Sequence, residues 1–190
     1  MSVKIEFNEE LHQYKVNGLV VPSVSELLQE AGIIGDMTFA DPTLGSAVHK
    51  ACSYDDAGTL PDDYDCEPVL IRLNGWRKFR RDHSPMVLIE NERPMFSKLG
   101  FCGTVDRIYS YEGSTILADI KTSKIWQRST ILQLLAYKRL AEEAGYKIDA
   151  LQIIYLDEMG GYKIIPVPIL DSDWNIFLKI LAIRAWRLKK

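Results

Sequence analysis

The chain has 190 residues, enough for one domain, residues 1–190, with a sizeable hydrophobic core. Its composition, 47% hydrophobic and 26% charged, excludes intrinsic disorder, and no apolar run reaches the length a membrane span needs. The net charge of -3 lacks the basic excess of many nucleic-acid binders, so any contact with phosphate has to come from how charge is distributed along the chain.

The first residues, MSVKIEFNEE, lack the apolar segment of a signal peptide, which leads to the expectation of a cytoplasmic chain. Alternation over Val3–Phe7 and Gln13–Val16 predicts two strands joined near Asn8–Leu11, and Asn17-Gly18 turns the chain into a third, Leu19–Val21. Ser23 and Glu26 form a capping-box pattern that predicts a helix over Val24–Glu30, stopped at Gly32. A second helix is predicted over 43–54, with Thr43 as N-cap, Leu44, Val48 and Cys52 as its apolar stripe and His49 beside that stripe. His12 and His83 have no comparable context and read as surface residues. Residues 55–67, DDAGTLPDDYDCE, hold six acids and no base and read as an acidic loop. Two basic runs, Arg77–Arg81 and Arg184–Lys190, suit either phosphate contact or the completion of helix dipoles.

A third helix, 66–82, presents Val69, Leu70, Leu73, Trp76 and Phe79 to a core. A strand from Met86 continues through Phe96 and carries Glu90 and Glu92, two apart and therefore expected on one face. Strands then follow over Thr104–Tyr109 and Thr115–Lys121, joined by Tyr111-Glu112-Gly113-Ser114. Gly103, just before the first of them, reads as a place where a ligand backbone can approach. Beyond lies a loop in which Trp126 either stacks on a base or packs, and Arg128 is a candidate phosphate contact. The helix Thr130–Ala144 places Gln133 and Tyr137 on one face. Strands Ala150–Leu156 and Tyr162–Val167 turn at Gly160-Gly161, with Pro166 marking a sheet edge, and a last helix begins at Asp171. The predicted fold class is α/β, a mixed central β-sheet flanked by helices.

The chemistry concentrates in residues 103–137. A hairpin brings Asp106 near Asp119, and the spacing Asp119-Ile120-Lys121 points the acid and the ammonium to the same side of the sheet. Two carboxylates and an ammonium converging there suit a hard divalent cation and an anionic substrate. Cys52, Cys66 and Cys102 are widely spaced and odd in number, as free thiols in a reducing compartment would be.

In these residues the chain resembles the PD-(D/E)XK nuclease superfamily, in its RecB-like exonuclease branch. The resemblance rests on G-T-V-D at 103–106, D-I-K-T-S at 119–123 and Q-L-L-A-Y at 133–137. L-G-S-A-V-H at 44–49 looks like that branch's first motif, a small-residue turn into a helix bearing His49, and the Glu92–Ser97 segment looks like its Glu-bearing strand. The resemblance spans about residues 5–160, and the N-terminal segment is similar to that of bacteriophage members. It implies a restriction-endonuclease-like core and a Mg²⁺- or Mn²⁺-dependent deoxyribonuclease. The metal ligands it implies are His49, Asp106, Asp119 and the Ile120 carbonyl, with the His favouring manganese. Lys121 would position and deprotonate water or stabilise the transition state, Gln133 and Tyr137 would hold DNA or orient Lys121, and Glu92 would be the further acid, with Glu90 as the alternative. Some relatives hold an iron–sulphur cluster on four cysteines; three cysteines leave none expected here. The expected substrate is linear DNA with free ends, acted on in phage recombination or genome processing, and the resemblance allows a homo-oligomer or a recombination partner. An endonuclease on the same fold and a DNA- or partner-binding protein that does not cleave are the rival readings.

Overall fold

The alternating N-terminal segment forms an antiparallel meander of β1 (Ile5–Asn8), β2 (Gln13–Val16) and β3 (Leu19–Val21). Tyr14 and Val16 are its buried face, and the Tyr14 ring stacks on Phe7 at a centroid distance of 4.5 Å. The structure, a computed structural model, describes residues 4–8, 11, 13–34, 42–123 and 128–189; His12 and Trp126 lie outside these residues. α1 (Val24–Glu30) opens with the expected capping box: Ser23 Oγ accepts from the Glu26 amide at 3.0 Å, and Glu26 Oε2 accepts from the Ser23 amide at 2.7 Å.

α2 (Pro42–Ala57) and α3 (Glu67–Asp82) follow. α2 starts before Thr43, so Thr43 is inside its first turn and is not the N-cap. Gly45 and Ser46 are likewise helical, not a turn leading into the helix, and Gly45 lies against Thr122. The acidic stretch divides: Asp55 and Asp56 are in the last turns of α2 and Glu67 begins α3. Arg77 pairs with Asp55, and Arg80 with Asp56, so part of the acidic stretch neutralises part of the basic run.

The central sheet runs β4 (Val87–Ser97), β5 (Phe101–Tyr111), β6 (Ser114–Lys121), β7 (Ala150–Leu156) and β8 (Tyr162–Val167), in that spatial order. Only β6 and β7 are parallel among these neighbours; α4 (Arg128–Glu143) is the helix between them in the chain, as a parallel crossover requires. β5 and β6 join through a two-residue turn in which Glu112 and Gly113 both have positive φ, 49° and 79°, the geometry that matches strand twist. β8 is an edge strand, which tolerates Pro166. α5 (Asp171–Leu188) completes the chain of elements.

Two hydrophobic layers sandwich the sheet. α1, α4 and α5 pack on one face around Leu27, Leu134, Leu140 and Phe177. α2 and α3 pack on the other around Val48, Leu73, Trp76 and Phe79. β6 shows the alternation that results: Leu117 enters the first layer, Ala118 and Ile120 the second. The observed class is the predicted one, a mixed sheet flanked by helices. Among the described residues no helix is long and apolar enough to cross a membrane.

The α3 backbone comes so close to the β7–β8 turn that a Cβ added at Gly75 would lie 2.4 Å from the Gly161 carbonyl oxygen. Replacing Gly by Ala favours a helix interior by about 1 kcal/mol, but overpacking against backbone costs about 1–3 kcal/mol. Gly75→Ala is therefore expected to lower the unfolding free energy in urea titration. An unchanged or higher value would contradict the close approach.

Candidate active site

Asp106 sits where the β5–β6 hairpin opens. Regular pairing ends at Arg107 and Ala118, and beyond it Asp106 Oδ2 accepts the Ile120 amide at 2.9 Å. Glu92 lies across from Asp106, between the pairs Asn91–Arg107 and Arg93–Val105. Its φ of 47° breaks the two-residue alternation of β4. Glu90 and Glu92 consequently do not share a surface, as their spacing suggested: Glu90 binds Arg93 and Tyr146, whereas Glu92 faces Arg107 and His49. Of the two acids, only Glu92 belongs to the cluster around His49.

His49 projects from α2. One ring nitrogen, Nε2, is 2.8 Å from the Ile120 carbonyl oxygen, a geometry in which the N–H donates and the carbonyl accepts. The other, Nδ1, is 3.3 Å from Asp106 Oδ2 and 3.4 Å from Glu92 Oε1. Burial works against charge on this imidazole, but Asp106 and Glu92 outweigh it and raise its pKa to about 9. One ligand atom from each of His49, Glu92 and Asp106 lies within 4.8 Å of the other two.

A second group stands beside the first. Asp119, 1% exposed, is paired through Oδ2 with Lys121 Nζ at 2.8 Å. Lys121 Nζ also donates to Gln133 Oε1 at 3.4 Å, and Gln133 Nε2 donates to Tyr137 Oη at 2.9 Å. The space over Gly103 is filled by this group: a Cβ there would lie 2.6 Å from Tyr137 Cε1, so the missing side chain admits Tyr137, where the sequence suggested a ligand backbone. Burial raises the pKa of both Asp106 and Asp119, with Lys121 and His49 pulling the other way. Tyr137 is pushed well up by burial and by the two nearby aspartates, so its phenol keeps its proton.

The structure thus brings His49, Glu92 and Asp106 into one cluster and Asp119, Lys121, Gln133 and Tyr137 into a chain next to it. The Ile120 carbonyl accepts from His49. A hard divalent cation fits this set: carboxylate oxygens dominate, and one imidazole nitrogen faces them.

Two residues escaped the sequence reading. Arg107 is fully buried and donates from Nε to Asp56 Oδ2 at 2.9 Å, and from Nη1 to Glu92 Oε1 at 3.0 Å and the Asp106 carbonyl at 2.7 Å. Asp56 also accepts from Trp76 Nε1 and Arg80 Nη1, each at 2.9 Å. The signal for Arg107 was present, a permanent charge on a strand covered on both faces, which must find a partner. Asp56 gave no signal, because it was one acid among six.

No protein-family model matches the chain, and no curated protein matches it. Solved structures do share its fold. A protein of Eubacterium rectale, provisionally described as an exonuclease, superposes with a TM-score of 0.58 at 11% identity over 88% of this chain and 79% of its own. An alkaline exonuclease of Laribacter hongkongensis superposes with a TM-score of 0.52, also at 11% identity, over 88% of this chain and 87% of its own. At such identity the likeness is one of fold.

Proposed function

We propose that the chain is a Mg²⁺- or Mn²⁺-dependent deoxyribonuclease of the PD-(D/E)XK type, acting from the ends of linear DNA. The observation that carries this reading is the convergence of His49, Glu92 and Asp106 within 4.8 Å, next to the buried Asp119–Lys121 pair. The exonuclease descriptions of the two proteins that share the fold support it. A role in phage recombination or genome processing rests on the sequence resemblance alone.

Phosphodiester hydrolysis builds negative charge on the phosphoryl oxygens, so positioned positive charge is what the site has to provide. His49, Glu92, Asp106 and Asp119 are the residues that would hold the cation, which would stabilise that charge and acidify the attacking water. Lys121 is steered by Asp119 at 2.8 Å and by Gln133 at 3.4 Å. Its ammonium either orients the attacking water or takes up charge on the phosphate. Gln133 bridges Lys121 to Tyr137, and the packing of Tyr137 over Gly103 limits the freedom of the whole chain of groups. Tyr137, still protonated, offers an O–H to a phosphate oxygen.

Purified protein is expected to release mononucleotides from linear DNA in Mn²⁺, to stop in EDTA, and to leave covalently closed circles of the same sequence intact. Undiminished activity in chelator would remove the metal site from the reaction. Nicking or linearisation of the circle would make the protein an endonuclease on the same fold.

Lys121→Ala is expected to reduce turnover by about 10²–10⁴-fold in protein shown to be folded by circular dichroism, with a lowered melting temperature because the buried Asp119 loses its partner. Turnover equal to that of the unaltered protein would take Lys121 out of the mechanism.

A further inference from the structure

A guanidinium is expensive to bury, and a buried ion pair is weak grounds for added stability. Arg107 is nevertheless 0% exposed, and its donors serve two different regions. Nε reaches Asp56, whose side chain is also 0% exposed and is held by α3 through Trp76 and Arg80. The Trp76 ring lies against the guanidinium, 5.3 Å from its carbon. Nη1 reaches the site instead, donating to Glu92 Oε1 and to the Asp106 carbonyl. A counter-ion for Asp56 alone would have no need of the second set of contacts. Glu92 Oε1 is the same atom that faces His49 Nδ1 at 3.4 Å.

We propose that Arg107, anchored by Asp56, is a positioning residue for the metal site. It fixes the Glu92 carboxylate beside His49 and Asp106, on a strand residue whose φ of 47° gives it no regular sheet direction. The inference rests on the nuclease reading above. Rigidity passes from the α2–α3 packing to Asp56, from Asp56 to Arg107, and from Arg107 to a ligand. Partners one step removed from a metal typically change its affinity or the activity by about 10–100-fold.

The test titrates the full-length protein with MnCl₂ by calorimetry and follows DNA cleavage in parallel. Removing one half of a buried pair is strongly destabilising, so the main variant replaces both, Asp56→Asn with Arg107→Met. A second, Arg107→Lys, keeps the charge but cannot hold Asp56 and Glu92 together; it carries the test if the first does not fold. Mn²⁺ affinity is expected to fall about 10–100-fold, as it does in Glu92→Ala, and combining either change with Glu92→Ala is expected to cause no further loss. Unaltered Mn²⁺ affinity in a folded variant, or a loss that adds to that of Glu92→Ala, would reduce Arg107 to scaffold and overturn the inference alone. An unaltered protein that neither binds Mn²⁺ nor cleaves DNA would overturn the nuclease reading and this inference with it.

Discussion

Asp106 and Asp119 are buried at the end of a hairpin that lies between two helical layers, and the surrounding site follows from that burial. An ionised carboxylate out of water costs several kcal/mol unless charge or donors compensate it. Each has its own partners. Asp106 receives the Ile120 amide and faces His49 from α2; Asp119 is paired with Lys121 on its own strand. Burial nevertheless raises the pKa of both aspartates, against the pull of Lys121 and His49. A bound cation would offset that burial, which is the physical link between the fold and the proposed chemistry.

The fold holds these groups on rigid supports. The two carboxylates are on β5 and β6, and β6 is covered on both faces and flanked on both edges, by β5 and β7. Gln133 and Tyr137 are on α4, which is drawn against β5 at Gly103 because no side chain intervenes there. His49 comes from the opposite layer, on a helix fixed by Val48 and Cys52 in the α2–α3 core. The cluster of His49, Glu92 and Asp106 therefore joins β4, β5 and α2, and loosening any of them would disturb its geometry.

Much of this was legible in sequence because it depends on local period. Turn chemistry at Tyr111-Glu112-Gly113-Ser114 between two strand-like runs located both strands, and the two-residue spacing of Asp119 and Lys121 placed them side by side. The four-residue spacing of Gln133 and Tyr137 appears as a direct hydrogen bond. Where local period failed, a nonlocal or backbone event intervened. A positive φ at Glu92 separated it from Glu90. Asp56 and Arg107 are 51 residues apart and meet only when α2 packs on the sheet. Asp55 and Asp56 looked like a solvated loop because their partners, Arg77 and Arg80, lie on the next helix. The occupant of the space over Gly103 could not be read from the glycine itself, since a missing side chain says only that something approaches closely.

The central proposal is that His49, Glu92, Asp106 and the neighbouring Asp119 would hold a divalent cation. It is tested most directly by anomalous diffraction from crystals soaked in Mn²⁺. The account predicts a manganese peak within about 2.5 Å of the His49 Nδ1 atom and of the carboxylate oxygens around it. Manganese found only elsewhere on the protein, with His49 still facing Asp106 and Glu92, would contradict it.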